Sequence, residues 1–199
     1  KEMTLPAQLT TLSSLKCIVD LSLDSVKVNN GIVTQADVNG TNGIIHVIDT
    51  VLLPPTDIVE TLIHNGSFTM FNQAINTSGL NETLRSSGPF TVFTSNDDAF
   101  NKLPAGVFNE LMKPENQGTL SKIIQHHATD QLITSSSITR MSLPANINML
   151  SGGTARINQN GNIIKVDNAN IVMTDIYNTN GMIHVIDSVL LPPLDVVET

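Results

Sequence analysis

The sequence predicts an α+β fold, a β-sandwich wedge of mainly antiparallel strands with helices packed against it. Three observations carry that expectation. The stretch NGMIHVIDSVLLPP at residues 180–193 repeats NGIIHVIDTVLLPP at residues 42–55, and the same spacing of 138 residues places Leu5, Pro6 and Ala7 on Leu143, Pro144 and Ala145 without a gap. Residues 1–55 read only as short β-rich pieces, whereas the residues between the two copies begin with helical periodicity and finish in strands. Helices and strands segregated in this way give an α+β arrangement, not alternating strand–helix units.

The β-rich pieces of the first part are residues 17–23, 26–28, 32–38 and 44–53, separated by Ser, Asn and Gly. No helical set precedes them. This part is therefore expected to expose apolar strand faces unless absent residues or a second chain complete it, and its open edges invite self-association.

At Asp57 the pattern turns helical. Asp57 and Glu60 have capping-box spacing, Ile58, Val59, Leu62 and Ile63 form an apolar stripe, and Gly66 ends the helix. Ser67 is placed to cap a second helix with Phe68, Phe71, Ala74 and Ile75 inside. A strand follows at residues 89–94. Asp97 and Asp98 then suit a helix start, and because neighbouring helical positions diverge by about 100° the two carboxylates do not converge on one atom. Phe108, Leu111 and Met112 suggest a short helix ended before Pro114. Leu120, Ile123, Ile124 and His127 share a helical face, so His127 points inward and His126 elsewhere.

Beyond residue 134 the chain reads as strands. Asn160-Gly161 marks a two-residue hairpin, and residues 171–176 pair with the last strand across residues 177–181. In that last strand Asn180-Gly181 supplies a tight entry turn. Met182, His184, Ile186 and Leu190 alternate with Ile183, Val185, Asp187, Val189 and Leu191, so both faces are apolar and should be covered until Pro192-Pro193 ends the strand. His184 and Asp187 need hydrogen-bond partners if buried. Asp195 and Glu198 repeat the spacing of Asp57 and Glu60, so residues 195–199 are expected to begin a further repeat or a tail.

The repeated stretch resembles the C-terminal signature of the fasciclin-like domain family. GPFTVFTSNDDAF at residues 88–100 is similar to that family's N-terminal motif, and LSKIIQHHATDQLI at residues 120–133 to its central histidine motif. The chain departs from the family pattern at Thr94-Ser95-Asn96, where Ala-Pro-Thr is usual, and at His126, where Tyr is common. The resemblance implies a fasciclin-like wedge, with residues 1–56 as the C-terminal part of a preceding repeat and residues 57–194 as a complete domain. It further implies an extracellular or cell-surface adhesion or matrix module, secreted or anchored, whose partner is a receptor or matrix protein. In integrin-binding members an Asp-Ile pair before the C-terminal signature is implicated; here that pair is Asp175-Ile176, with Asp37-Val38 in the first copy. An exposed carboxylate there would complete a receptor-bound cation, while the structural alternative has Asp175 holding loop amides and Ile176 in the core.

Composition narrows the function classes. Ten Lys and Arg against 18 Asp and Glu give a net charge of −8 with no basic run, which argues against nucleic acid and anionic lipid. The chain starts at Lys1 without a signal-like segment, and no apolar run has the length of a membrane span. Cys17 stands alone and reads as a small core residue. Asn39, Asn65, Asn76 and Asn81 head N-glycosylation sequons, which become surface sites in an exported protein.

No phosphate loop, nucleophile elbow or metal-ligand spacing occurs, so no enzyme, cofactor or metal is expected. A hydrolase built on His127 or His184 with Asp187 is disfavoured because His184 and Asp187 lie on opposite strand faces. His127, His184, Asp187, Asn180 and Gly181 are instead expected to be structural. The alternative function is a binding module for a small apolar ligand held between helices and sheet, for which seven Met and six Phe offer a pliable lining.

Overall fold

The computed structural model describes residues 7–12, 16–22, 25–29, 31–52, 54–161 and 163–192. The expectations on Leu5, Pro6, Pro193 and residues 195–199 lie outside them. The chain opens with an antiparallel meander of β1 (Ala7–Thr10), β2 (Lys16–Ser22), β3 (Ser25–Val28), β4 (Gly31–Asn39) and β5 (Ile44–Ile48), in spatial order β1-β2-β3-β4-β5. Helices follow as α1 (Ile58–His64), α2 (Thr69–Ser78) and α3 (Asn81–Arg85), then β6 (Phe90–Ser95), α4 (Asp97–Asn101), α5 (Val107–Leu111), a 3₁₀ turn, α6 (Gln117–Gln125), β7 (Ala128–Thr129) and α7 (Ser135–Arg140). The chain ends in β8 (Ala145–Asn148), β9 (Thr154–Asn160), β10 (Ile163–Val166), β11 (Ala169–Asn178) and β12 (Gly181–Ile186).

The second sheet has seven strands in the order β7-β6-β12-β11-β10-β9-β8. It contains a parallel pairing of β12 with β6, from Gly181 opposite Phe90 to Ile186 opposite Ser95. Both neighbours of β12 are thus occupied, and both of its faces are buried. Ile183 and Val185 join Val92, Phe71, Ile75, Leu84, Leu120 and Ile124 in a helix-side core. Ile186 and Phe93 face a second core with Ile147, Ala155, Ile157 and Val166, which is how the sheet folds over itself into a wedge.

Several local expectations are corrected. Asp57 accepts the Glu60 N–H at 2.7 Å, but its other oxygen binds Arg85 at 2.7 Å and Glu60 does not complete the box. Ser67 does not cap α2. The N-terminus of α2 is held from across the fold by Asp97, which accepts the Met70 N–H at 2.8 Å and the Thr69 hydroxyl at 2.7 Å, while Asn96 caps α4. β12 ends at Ile186, short of the prolines, because the Asp187 carboxylate takes the Asn170 N–H at 2.8 Å and the Asn170 amide at 2.7 Å.

The 138-residue spacing persists in three dimensions. It carries β1, β2 and β3 onto β8, β9 and β10 end to end, and β4 and β5 onto β11 and β12 within a residue. The bulges between Val33, Gln35 and Val38 map onto those between Ile171, Met173 and Ile176. Asn29 and Asp37 adopt φ of 52° and 57°, and their counterparts Asp167 and Asp175 adopt 51° and 62°.

Candidate functional site

The sequence points to the bulged end of β11, and the structure shows what holds it. The bulge turns Asp175 into the left-handed region, unusual for a residue with a side chain, so its N–H reaches His184 Nδ1 at 3.2 Å. His184 Nε2 donates to the Ile133 carbonyl at 2.8 Å, and the ring stacks on Phe93 with centroids 5.6 Å apart. Burial lowers the pKa of His184 against the opposing pull of the Asp175 carboxylate and the Ile133 bond, so the ring is neutral with its proton on Nε2. The Asp175 carboxylate accepts the Ser135 N–H at 2.8 Å and the Ser135 hydroxyl, tying β11 to the start of α7. Ile176 packs against the helix-side core. In this sheet the Asp-Ile pair is engaged within its own fold, and the partner Ser135 lies 40 residues away with no motif to announce it.

The other named residues are also internally engaged. His127 is fully buried, donates from Nδ1 to the Ile123 carbonyl at 2.8 Å and accepts the Leu190 N–H on Nε2 at 3.0 Å. Burial above all, with the neighbouring His126 adding to it against the Ile123 bond, brings its pKa down to about 4. His126 is equally buried, contrary to the expectation that it points away from the core. It stands at the C-terminus of α6 with a helical backbone and is covered by the loop at residues 151–153 packed over it, its Nδ1 3.0 Å from Ser151 Oγ with Nε2 3.6 Å from Asp167. Partial burial pushes the Asp187 carboxyl up, but bonds from Asn170 and Ser188 and the nearby Lys102 hold it below its ordinary range.

Asn180 joins four elements. Its Oδ1 accepts the Ile58 N–H at 3.0 Å, its Nδ2 donates to the Leu84 and Ser86 carbonyls at 2.7 and 2.9 Å, and its own carbonyl accepts the Phe90 N–H at 2.9 Å. Gly181 has φ 157°, and a Cβ there would stand 2.0 Å from the Phe90 carbonyl oxygen, so the crossing of β6 and β12 requires glycine.

The counterparts in the first sheet stand in different surroundings. The Asp37 N–H donates to His46 Nδ1 at 3.3 Å, as in the second sheet, but His46 and Asp37 are exposed and Val38 is half-buried. Among the described residues no counterpart of Ser135 or Ile133 faces them. The first sheet is tied to α7 through the buried Asp20 carboxylate of β2, which takes the Ser136 hydroxyl and lies 3.4 Å from Arg140.

Of the sequon asparagines, Asn39 and Asn65 are exposed at element ends, and Asn65 Oδ1 accepts the Ser67 N–H at 3.2 Å. Asn76 and Asn81 lie on helices and bond one another at 2.8 Å. Among the described residues no three His, Cys, Asp or Glu side chains converge as metal ligands, and no helix is long and apolar enough to cross a membrane. The layer between helices and sheet is filled by Phe71, Ile75, Leu84 and Ile124. A hollow among α2, α4 and α5, beside Phe100 and Phe108, has about 210 Å³, below the roughly 300 Å³ usual for a small-molecule site, and an open groove of about 500 Å³ runs past Val51, Pro54, Met173 and Tyr177.

The Fasciclin domain family matches residues 1–54 and 66–192. The chain belongs to that family. It is 30% identical over 186 residues to the pig transforming growth factor-beta-induced protein ig-h3, covering 93% of this chain and 26% of that protein. It is 36% identical over 137 residues to protein sll1483 of Synechocystis, covering 69% of this chain and 74% of that protein. Human periostin is 33% identical over 169 residues, 84% of this chain and 20% of periostin. This fasciclin chain thus spans about a quarter of the length of ig-h3. A FAS1 domain pair from the insect cell adhesion molecule fasciclin I superposes with a TM-score of 0.64 at 24% identity, over 88% of this chain and 67% of that one, which is a likeness of fold.

Proposed function

We propose that this fasciclin chain is an extracellular or cell-surface module, secreted or anchored, that works by protein–protein contact in adhesion or matrix association and performs no chemistry. Residues 1–56 act as the C-terminal part of one unit, residues 57–194 as a complete unit and residues 195–199 as the start of another or a tail. The observation that carries the reading is the contrast between the two sheets. His184, Asp175, Asp187 and His127 are each engaged in or against the second one, which leaves no converging reactive groups there among the described residues. Asp37 presents an exposed carboxylate on a bulge beside Val38. Such a carboxylate is able to complete the coordination of a receptor-bound cation, with Val38 packing alongside. The fold is shared with a protein described as a cell adhesion molecule. The acidic balance directs the module toward protein partners and away from nucleic acid.

Adhesion of cells to surfaces coated with the protein tests this. The parent is expected to support adhesion well above an albumin coating, with Asp37→Ala reducing it at least fivefold. Adhesion of Asp37→Ala equal to the parent, or none by the parent, refutes the reading.

A further inference from the structure

β11 has two partners of very different reach. β12 accompanies it from Ile171 to Asn178, whereas β10 pairs only with Ala169 and Asn170 before the bulges bend β11 away. On that side residues 173–177 have no strand partner among the described residues. An unpaired strand edge is a template for another extended chain.

The same residues line the open groove of about 500 Å³, together with Pro54, Pro55 and Thr56 of the segment that leads into α1, and Thr61 of α1 itself. Pro54, Thr56 and Thr61 also border a second, more open trough that reaches His64 and Asn65, so the groove is elongated. This edge belongs to the part of the chain that carries its own helices, α1 to α7. A long channel beside a strand edge suits an extended polypeptide better than a compact small molecule.

The groove is acidic. Asp175 is the one charged residue among its described lining, which holds neither Lys nor Arg. The Asp175 carboxylate is held by the N–H and hydroxyl of Ser135, which are neutral donors, so no ion pair cancels its charge among the described residues. Burial first, and then the Asp175 and Asp20 carboxylates, push the Tyr177 phenol up, as a negative potential at this wall requires. Met173 is 56% exposed and offers a pliable apolar contact beside that charge.

We propose that the groove binds an extended, basic polypeptide segment, which pairs with the open edge of β11 at residues 173–177 and sets a Lys or Arg side chain beside Asp175. The inference rests on the protein–protein reading above and adds a second surface, apart from Asp37, whose partner has a stated chemistry. Main-chain bonds to the edge supply affinity, and the uncompensated carboxylate selects for charge. A second copy of this chain answers the site poorly, because each copy carries a charge of −8.

The probe is an alternating Lys-Val peptide of about eight residues, long enough to span the edge, with an alternating Glu-Val peptide of equal length as the charge-reversed control. Hydrogen exchange is read at residues 173–177, with β12 as the internal control for folding. Saturating Lys-Val peptide is expected to slow exchange there about tenfold, and the Glu-Val peptide to bind at least about tenfold more weakly. Met173→Lys, which places a fixed cation in the groove, should weaken Lys-Val binding about tenfold. Ile163→Lys makes the same change of charge at an exposed position of β10 outside the groove lining, and should alter binding less than about twofold.

Unchanged exchange at residues 173–177 with saturating Lys-Val peptide overturns the proposal, as does equal binding of the two peptides or equal weakening by Met173→Lys and Ile163→Lys. So does a parent that sediments as a dimer with this edge already protected. Cell adhesion that depends on Asp37, in a protein that does not bind the Lys-Val peptide, would leave the adhesion reading standing and remove this one. Peptide bound at residues 173–177 of a parent that supports no adhesion would do the reverse.

Discussion

Replacing Asn180 by Asp removes two hydrogen-bond donors and changes almost nothing else in shape. Oδ1 keeps its bond from the Ile58 N–H, so the substitution isolates the amide group that reaches Leu84 and Ser86. Two lost hydrogen bonds cost about 1 kcal/mol each, and the buried Leu84 carbonyl and the part-buried Ser86 carbonyl then face a carboxylate where they had donors, which adds roughly 1–3 kcal/mol. The side chain is buried, so water does little to relieve this. A total of about 4 kcal/mol is a large part of the roughly 5–15 kcal/mol that holds a domain together. The repeat supplies the control, because its counterpart Asn42 is exposed and Asn42→Asp should change stability by no more than about 0.5 kcal/mol. The assay is urea unfolding at pH 7.5 followed by far-ultraviolet circular dichroism, since the chain has no Trp and one Tyr. With a slope of about 2 kcal/mol per molar urea, the Asn180→Asp midpoint should fall by about 2 M. A loss under about 1 kcal/mol at position 180, or equal losses at positions 180 and 42, would refute the assignment of Asn180 as the junction of helices and sheet.

Other outcomes follow from the same contacts. Gly181→Ala should cost more than about 3 kcal/mol because its Cβ meets the Phe90 carbonyl, whereas Gly43→Ala, with nothing within 4 Å of its Cβ, should be near neutral; equal effects in thermal unfolding would contradict the close crossing of β6 and β12. Acid should weaken the fold through its buried histidines. The unfolded chain takes up a proton at His127 below pH 6.5 and the folded chain resists until about pH 4, so stability present at neutral pH is lost as pH falls through that window. His127 alone gives a slope of up to about 1.4 kcal/mol per pH unit, and buried His184 acts in the same direction. Unfolding free energies that stay level from pH 7 to pH 5 would argue against neutral, buried histidines.

Much of the fold is legible in the residue pattern. The succession of helices first and strands later, the hairpin at Asn160-Gly161, the core stripe of Leu120, Ile123 and Ile124, and the recurrence at 138 residues follow from local periodicity and turn chemistry. The helix α7 at residues 135–140, where the pattern reads as strands, does not: its six residues are too short for a helical stripe, and its Thr134–Ser137 capping box shows only in the fold. Partners distant in sequence are not legible there. Alternation says that Phe90–Ser95 is a strand but not that it runs parallel beside β12. Nothing near Asp97 signals that it caps α2 rather than its own helix, and nothing near Asp175 signals Ser135.

The two copies of NGxIHVID make the division plain. Their sequence alone determined the same strand, the same bulged neighbour and the same bond from an aspartate N–H to a histidine ring. Tertiary structure alone decided that one copy is buried on every side and the other lies open. Burial depends on what packs against a strand, and β6 with its helices stands against only one of the two copies.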